Sequence, residues 1–208
     1  MHKTLYIIRH GETELNRRRI VQGSGVDSSL NDTGRAQARA FYARYRDVGF
    51  DVVLTSTLRR THETVAHFLA EGLPWEQHAE LNEISWGDAE GKEGTPASIA
   101  AYQTMVADWS AGNFDHRLPN AESAREMGER VQRFVDGLRG RSEEKMLVCA
   151  HGRLMRALLC TLEGCSLRDM ENYRHANTGL YLVEQRGPDF TVRLRNDTRH
   201  LENLPAHG

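Results

Sequence analysis

Two short, uninterrupted apolar segments of this chain are each followed by a His-Gly pair, although they lie far apart in the sequence. Residues 4–8 (TLYII) precede Arg9-His10-Gly11, and residues 146–150 (MLVCA) precede His151-Gly152. Both segments are too short for a helix and lack the alternation of a half-exposed strand, so they predict strands buried on both faces. Such strands are typical of a parallel sheet that is covered by helices.

Helical patterns and a further short strand occupy much of the remaining chain. The predicted elements are a helix from Asn31 or Asp32 to Gly49, a strand at 52–54, a helix at about 58–69, a helix with leucines from Leu154 to Leu162, and a hairpin of 180–183 and 190–194. Because strands and helices alternate before the hairpin, the sequence predicts an α/β fold. We expect a three-layer α/β/α arrangement with a mostly parallel central sheet and a terminal antiparallel hairpin.

Two amphipathic helices without a strand between them predict an insertion. Thr95-Pro96 is a strong helix start, and Ile99, Tyr102, Val106 and Trp109 form the first apolar stripe. The second stripe consists of Met127, Val131, Phe134 and Leu138. Residues 112–120 between the stripes are polar and rich in turn formers, which indicates that the pair forms a small helical cap. The cap is placed at about residues 92–125 of a single domain spanning residues 1–208.

Composition excludes several functional classes. The chain has 27 Lys and Arg against 29 Asp and Glu, a net charge of −2, which argues against a nucleic-acid partner. No run approaches ~18 apolar residues and the N-terminus shows no cleavage site, so neither membrane association nor export is expected. Cys149, Cys160 and Cys165 are odd in number and lack CxxC spacing, which suits a reduced, cytoplasmic protein. The sequence is compatible with both a monomer and a homodimer.

The residues that follow the predicted strands suggest a phosphate pocket. The first strand is followed by Arg9-His10, the second by Ser56 and Arg59-Arg60, and the third by His151-Gly152. Parallel strands bring such ends to one edge of a sheet, where ligands bind. A single His-Gly pair is more simply interpreted as a turn at the end of a strand. Two of them together with arginines indicate a phosphoryl site, because guanidinium groups match phosphate oxygens and a neutral imidazole can attack phosphorus.

Several motifs together resemble one known family. They are residues 5–16 (LYIIRHGETELN), Gln22-Gly23, residues 30–38 (LNDTGRAQA), residues 56–61 (STLRRT) with Thr64, Leu81-Asn82-Glu83, and Ala150-His151-Gly152. This set resembles the signature of the histidine phosphatase superfamily, in its phosphoglycerate-mutase-like branch. The resemblance extends from about residue 4 to residue 200. It implies an enzyme that acts on a small phosphorylated metabolite and requires neither a cofactor nor a metal.

The resemblance also implies a role for individual residues. His10 corresponds to the nucleophile that becomes phosphohistidine, and Glu83 to the general acid and base. Arg9, Arg60 and His151 correspond to the clamp on the phosphoryl oxygens, with Arg60 preferred over Arg59. The carbonyl of Gly11 is expected to fix the tautomer of His10. Asn16 corresponds to a phosphate contact, and the other residues assigned to substrate binding are Gln22, Gly23, Gly152 and Glu122.

Departures from the family pattern bear on the reaction. Mutases of this family usually carry an arginine directly after the catalytic glutamate, whereas Ile84 follows Glu83 here. A phosphatase acting through phosphohistidine is therefore preferred. The alternatives are a cofactor-dependent phosphoglycerate mutase and a non-catalytic phosphate-binding regulator, which would be expected to lack His10 or Glu83. Asn177 is interpreted as a support for the His151 loop or an ordinary turn residue, and His175 as a surface or helix-face residue.

Overall fold

The computed structural model describes residues 2–204, in which six strands form one mixed sheet. The strands are β1 (His2–Arg9), β2 (Val52–Thr55), β3 (Trp75–Gln77), β4 (Lys145–Ala150), β5 (Leu180–Arg186) and β6 (Asp189–Asp197). Their order across the sheet is β3-β2-β4-β1-β5-β6. The first four in this order are parallel, whereas β5 is antiparallel to β1 and β6 is antiparallel to β5. The predicted sheet and terminal hairpin are confirmed.

Helices cover both faces of the sheet. They are α1 (Glu14–Arg17), α2 (Asp32–Tyr45), α3 (Arg59–Ala70), α4 (Pro96–Ala111), α5 (Ala124–Arg139) and α6 (Gly152–Glu163). One buried cluster joins α5 and α6 to one face, and a second joins α2 and α3 to the other. Asn31 is the N-cap of α2, since its side chain accepts a hydrogen bond from the Gly34 amide. The three-layer α/β/α prediction is confirmed.

The register of the two central strands brings their ends to one level. Arg9 of β1 pairs with Ala150 of β4, and the next amide, that of His10, donates to the carbonyl of Ala150 over 2.9 Å. Because the pairing is parallel, the residues after both strands emerge at the same edge. His10 and His151 are neighbours for this reason.

The structure departs from the sequence prediction at three elements. Strand β3 was not predicted, because it has three residues and lies at the sheet edge. The interpretation of both amphipathic helices as a cap is wrong for α5, whose apolar stripe is buried in the core where the helix packs against α6. Ile99 was predicted to belong to the buried stripe of α4, but 48% of its surface is exposed. Met105 and Trp109 are the buried residues of that helix.

Two further features concern composition. Cys149 and Cys160 are buried, and neither forms a disulfide within residues 2–204. None of the helices within residues 2–204 combines the length and the hydropathy that a membrane crossing requires.

The loop after β1 rests directly on the first turn of α2. A Cβ atom added to Gly34 would lie 2.1 Å from the carbonyl oxygen of Glu12, and one added to Gly11 would lie 2.7 Å from the carbonyl oxygen of Gly34. Both positions therefore need glycine because backbone approaches backbone. This contact holds the segment that carries His10.

We expect Gly34→Ala to destabilise the fold by about 1–3 kcal/mol, because the new methyl group must displace backbone atoms. Gly137→Ala is the matched control, since that glycine lies in α5 with no atom within 4 Å of an added Cβ. The control should be neutral or stabilising by up to about 1 kcal/mol. Urea unfolding of both variants measures the difference, and equal midpoints would refute the close-contact explanation.

Candidate active site

The two histidines that follow β1 and β4 face each other in the interior. The ring centroids of His10 and His151 are 5.2 Å apart and the rings are inclined by 54°. Both residues are buried. The structure therefore brings together the two His-Gly pairs that the sequence separates.

Hydrogen bonding determines the tautomer of His10. Its Nδ1 lies 2.7 Å from the carbonyl oxygen of Gly11, which can only accept, so Nδ1 carries the proton. Nε2 consequently keeps its lone pair, as the nucleophile requires. The loop is held by the Gly11 amide, which donates to Oγ1 of Thr64, and by Nδ2 of Asn177, which donates to the carbonyl of His10.

His151 has the opposite tautomer. Nε of Arg60 donates to Nδ1 of His151 over 3.2 Å, so the ring proton lies on Nε2, which donates to Oγ of Ser56 over 2.8 Å. Both ring nitrogens of His151 are thus engaged with protein groups. This bonding distinguishes the two histidines, because only His10 has a ring nitrogen whose lone pair accepts no hydrogen bond from residues 2–204.

Two arginines predicted for the clamp lie beside the histidines. Arg60 is fully buried and also donates to the carbonyls of Val26 and Gly23, over 2.6 and 3.2 Å. Arg59 is exposed, whereas Arg60 contacts His151, and the role of Arg60 in a phosphate clamp stays a prediction. Arg9 has a buried Nε with no hydrogen-bond partner among residues 2–204. A guanidinium group with an unused buried donor suits an anionic ligand.

Burial and positive charge keep the histidines neutral. The pKa of His10 is well below its ordinary value, first because the ring is buried and then because Arg9 and Arg60 disfavour a second positive charge nearby. Burial, followed by Arg60, lowers the pKa of His151 in the same way. A neutral His10 is the form that can attack phosphorus.

Glu83 lies at the N-terminus of α6, whose N-cap, His151, provides no side-chain cap. The amide of Leu154 donates to Oε1 of Glu83 over 2.9 Å, and the amide of Arg153 donates to Oε2 over 3.1 Å. The helix N-terminus therefore holds this carboxylate next to the histidine that begins the helix. The charge of Glu83 also acts on both Arg9 and Arg60.

An ion pair holds the segment that carries Glu83. Arg130 donates to both carboxylate oxygens of Glu122, over 2.6 and 2.9 Å, and also to the carbonyls of Glu80 and Asn82. The structure thus gives Glu122 a different place from the predicted substrate contact. Because its carboxylate is paired with Arg130, it positions the Glu83 segment.

The other predicted binding residues lie around the loop after β1. Oδ1 of Asn16 accepts from the amide and hydroxyl of Thr13, which leaves the amide NH2 as the donor for an anion. Nε2 of Gln22 donates to the same hydroxyl over 2.8 Å. The carbonyl of Gly23 binds Arg60, and Gly152 begins α6. Their contacts with substrate stay predictions.

Two residues of this site have surroundings that differ from the sequence prediction. His175 is half-buried beside the site: its ring packs against Gly152, where an added Cβ would lie 2.7 Å from Cε1, and its Nδ1 lies 3.5 Å from Nη1 of Arg9. Burial and then Arg9 lower the pKa of His175 to about 3. Asn177 supports the backbone of His10 instead of the His151 loop. No spacing signal in the sequence marks either contact.

Comparison with known proteins identifies the family. The model of the histidine phosphatase superfamily (branch 1) matches residues 5–198. A protein of Hydrogenobacter thermophilus, provisionally named phosphoserine phosphatase 2, is 29% identical over 205 residues, which cover 97% of this chain and 99% of that protein. A 2,3-bisphosphoglycerate-dependent phosphoglycerate mutase of Brucella melitensis is 32% identical over 204 residues, covering 92% of this chain and 96% of the mutase.

A solved structure agrees with these matches. The α-ribazole phosphatase from Shigella flexneri has a TM-score of 0.81 at 26% identity, and the superposition covers 93% of this chain and 96% of that one. The chain therefore belongs to the histidine phosphatase superfamily, branch 1. Its role is that of a phosphatase or phosphoryl-transfer enzyme. In the described part of the chain, no group of three or more His, Cys, Asp or Glu side chains is arranged to hold a metal ion.

The lowered pKa values lead to a test by NMR. We expect the Cε1–H signals of His10 and His151 to show no titration between pH 8 and about pH 5.5, because both rings stay neutral. Spectra of His10→Asn and His151→Asn assign the two signals, and free N-acetylhistidine in the same buffers is the control. A titration midpoint at about pH 6.5 for either ring would contradict the electrostatic account.

Proposed function

We propose that this protein is a phosphomonoester hydrolase that acts through a phosphohistidine on His10, without a metal or another cofactor. The observation that carries the proposal is the tautomer of His10, whose Nε2 has a lone pair beside Arg9 and Arg60. A nucleophile next to two guanidinium groups is the arrangement that phosphoryl transfer needs.

In the first step, the Nε2 lone pair of His10 attacks phosphorus and the bond to the ester oxygen breaks. Arg9 and Arg60 offset the negative charge that spreads over the phosphoryl oxygens. Protonated Glu83 gives its proton to the departing alkoxide, which leaves as a neutral alcohol. The products of this step are the alcohol, phosphohistidine and the Glu83 carboxylate.

In the second step, Glu83 takes a proton from a water molecule as the water oxygen attacks phosphorus. The bond between phosphorus and Nε2 breaks, and the electron pair returns to His10. Inorganic phosphate leaves, and both His10 and Glu83 regain their starting protonation states. Dividing the reaction in this way replaces one difficult displacement with two easier ones.

The environment of Glu83 favours hydrolysis over transfer to a second substrate. The buried Ile84 follows it, so this position offers no positive charge for an additional anionic group. The mutase activity named for the Brucella relative is the competing outcome, since that protein matches most of this chain. The two reactions differ in what receives the phosphoryl group.

Glu83→Gln separates the two proton transfers. With an alkyl phosphate, we expect both formation and hydrolysis of phosphohistidine to slow by about 10²–10⁴-fold, because each step lacks its proton carrier. With p-nitrophenyl phosphate, formation should be nearly unchanged, since nitrophenolate leaves without a proton. Rapid-quench measurements of both steps, run with EDTA, provide the comparison. Glu80→Gln makes the same change in the same segment and is the control.

The outcomes of this experiment discriminate between the reactions. Equal slowing of phosphohistidine formation with both substrates would show that Glu83 is not the general acid. A wild-type phosphoenzyme that survives in water and discharges only onto a phosphoglycerate would refute hydrolysis and establish the mutase. Activity that appears only after addition of a divalent metal would contradict the metal-independent mechanism.

A further inference from the structure

The loop of residues 174–178 lies against the end of β1 and contacts Arg9 at two places. The amide of Thr178 donates to the carbonyl of Arg9 over 2.9 Å. At the other end of the same residue, Nη1 of Arg9 lies 3.5 Å from Nδ1 of His175. The position of the 174–178 loop therefore bears on both the backbone and the guanidinium group of Arg9.

Thr178 has a strained backbone conformation within this loop. Its φ is 55°, in the left-handed region that β-branched residues rarely occupy, because their side chains crowd the backbone there. The residue is fully buried, so water does not solvate its hydroxyl. Such strain persists only where the surroundings hold the residue in place. The contacts of Thr178 therefore decide whether its amide stays directed at Arg9.

A buried histidine that follows β6 provides the side-chain contact of Thr178. His200 lies in a short helical turn, Arg199–Leu201, and its Nε2 is 2.9 Å from Oγ1 of Thr178. The ring also packs edge-on against Phe41 and Tyr45, with centroids 5.3 and 6.1 Å away. The contact with Thr178 is the only hydrogen bond of this ring within residues 2–204.

Packing alone does not account for a histidine at this position. Only 9% of the surface of His200 is exposed, and its Nδ1 has no hydrogen-bond partner among residues 2–204. Burying a polar nitrogen without a partner costs free energy, whereas an apolar side chain among the same aromatic rings would avoid that cost. Burial lowers the pKa of His200 to about 4, so the ring is neutral at neutral pH. What the histidine provides and an apolar residue cannot is the bond to Thr178.

Asn196, near the end of β6, supports the same loop independently. Its Oδ1 accepts a hydrogen bond from the amide of Ala176 over 2.8 Å. The same oxygen occupies the space of a side chain at Gly179, where an added Cβ would lie 2.3 Å away. Because this contact remains when His200 is changed, such a change is expected to shift Thr178 without releasing the whole loop.

We propose that His200 is a positioning residue for phosphoryl transfer, which holds the strained Thr178 so that the 174–178 loop keeps Arg9 aligned with the phosphoryl group. This inference rests on the proposed hydrolase function and extends it to a residue outside the candidate active site. The effect of His200 on the reaction passes through Arg9, which makes it separable from a general effect on folding.

A double-mutant cycle tests the route through Arg9. In the wild-type background, we expect His200→Leu to lower kcat/KM for p-nitrophenyl phosphate about tenfold, because Thr178 loses the contact that holds it. In the Arg9→Ala background the same change should alter kcat/KM by less than about twofold, since the group that it positions is missing. A purely structural role would give equal factors in both backgrounds.

Two further variants separate the hydrogen bond from the strain. His200→Gln can place its amide near the position of Nε2 and keep the bond to Thr178, so kcat/KM should stay within about threefold of the wild type. Thr178→Gly removes the strain, because glycine adopts a positive φ readily. In the Thr178→Gly background, the loss caused by His200→Leu should therefore fall below about twofold.

His78→Leu is the matched control. The ring of His78 also bonds through Nε2, to Glu76, and meets Phe134 edge-on with centroids 5.3 Å apart. Within residues 2–204 it makes no hydrogen bond to the 174–178 loop. This change should leave kcat/KM within about twofold of the wild type, as expected for an independent position.

Binding of inorganic phosphate provides a readout that does not depend on turnover. Arg9 is expected to bind phosphate oxygens, so the dissociation constant should respond to His200→Leu in the same way as kcat/KM. Calorimetric titration of the wild type, both single variants and the double variant measures this second cycle. Weaker phosphate binding in His200→Leu, absent in the Arg9→Ala background, would support the positioning role.

The outcomes discriminate between the two proposals. Unchanged kcat/KM in His200→Leu, equal factors in the two Arg9 backgrounds, or an equal loss in His200→Gln would overturn the positioning role while leaving the hydrolase function intact. An undiminished effect of His200→Leu in the Thr178→Gly background would overturn the route through Thr178. Absence of phosphate release by the wild type would refute the hydrolase function, and the phosphate dissociation constants would then decide the role of His200.

Discussion

The hydrogen bond from Nδ1 of His10 to the carbonyl of Gly11 decides which ring nitrogen can react, and much of the fold maintains it. The in-register pairing of β1 with β4 places His10 at the sheet edge, and the contact between Gly11 and Gly34 sets the path of the following loop. Asn177 holds the His10 carbonyl from the terminal part of the chain. Residues from several separate segments therefore converge on one tautomer.

The same neighbourhood combines neutral histidines with buried positive charge. Burial and the guanidinium groups lower the pKa of His10, so the nucleophile stays unprotonated where a free histidine would be charged. Arg60 is kept in the interior by His151 and two backbone carbonyls, which satisfy donors that would otherwise be costly to bury. His151 thus positions Arg60, and a direct contact with phosphate would require its Nε2 to leave Ser56.

Much of this arrangement could be predicted from the sequence because its signals are local. Uninterrupted apolar segments marked the central strands, and their His-Gly endings marked the edge where His10 and His151 meet. Contacts between segments that are distant in the sequence were harder to predict. The position of Asn177 depends on which of two adjoining loops its side-chain amide reaches. His175 is half-buried because its ring occupies the space that a side chain at Gly152 would fill. Strand β3 escaped prediction because a three-residue edge strand has almost no periodicity.

The central claim is that His10 carries the phosphoryl group. The most direct measurement is to mix the enzyme with ³²P-labelled substrate in EDTA, quench within milliseconds, and map the label by proteolysis and mass spectrometry. The account predicts an acid-labile, base-stable phosphate on His10 that forms and decays at rates compatible with turnover. Label on another residue, or full turnover by His10→Ala, would contradict it.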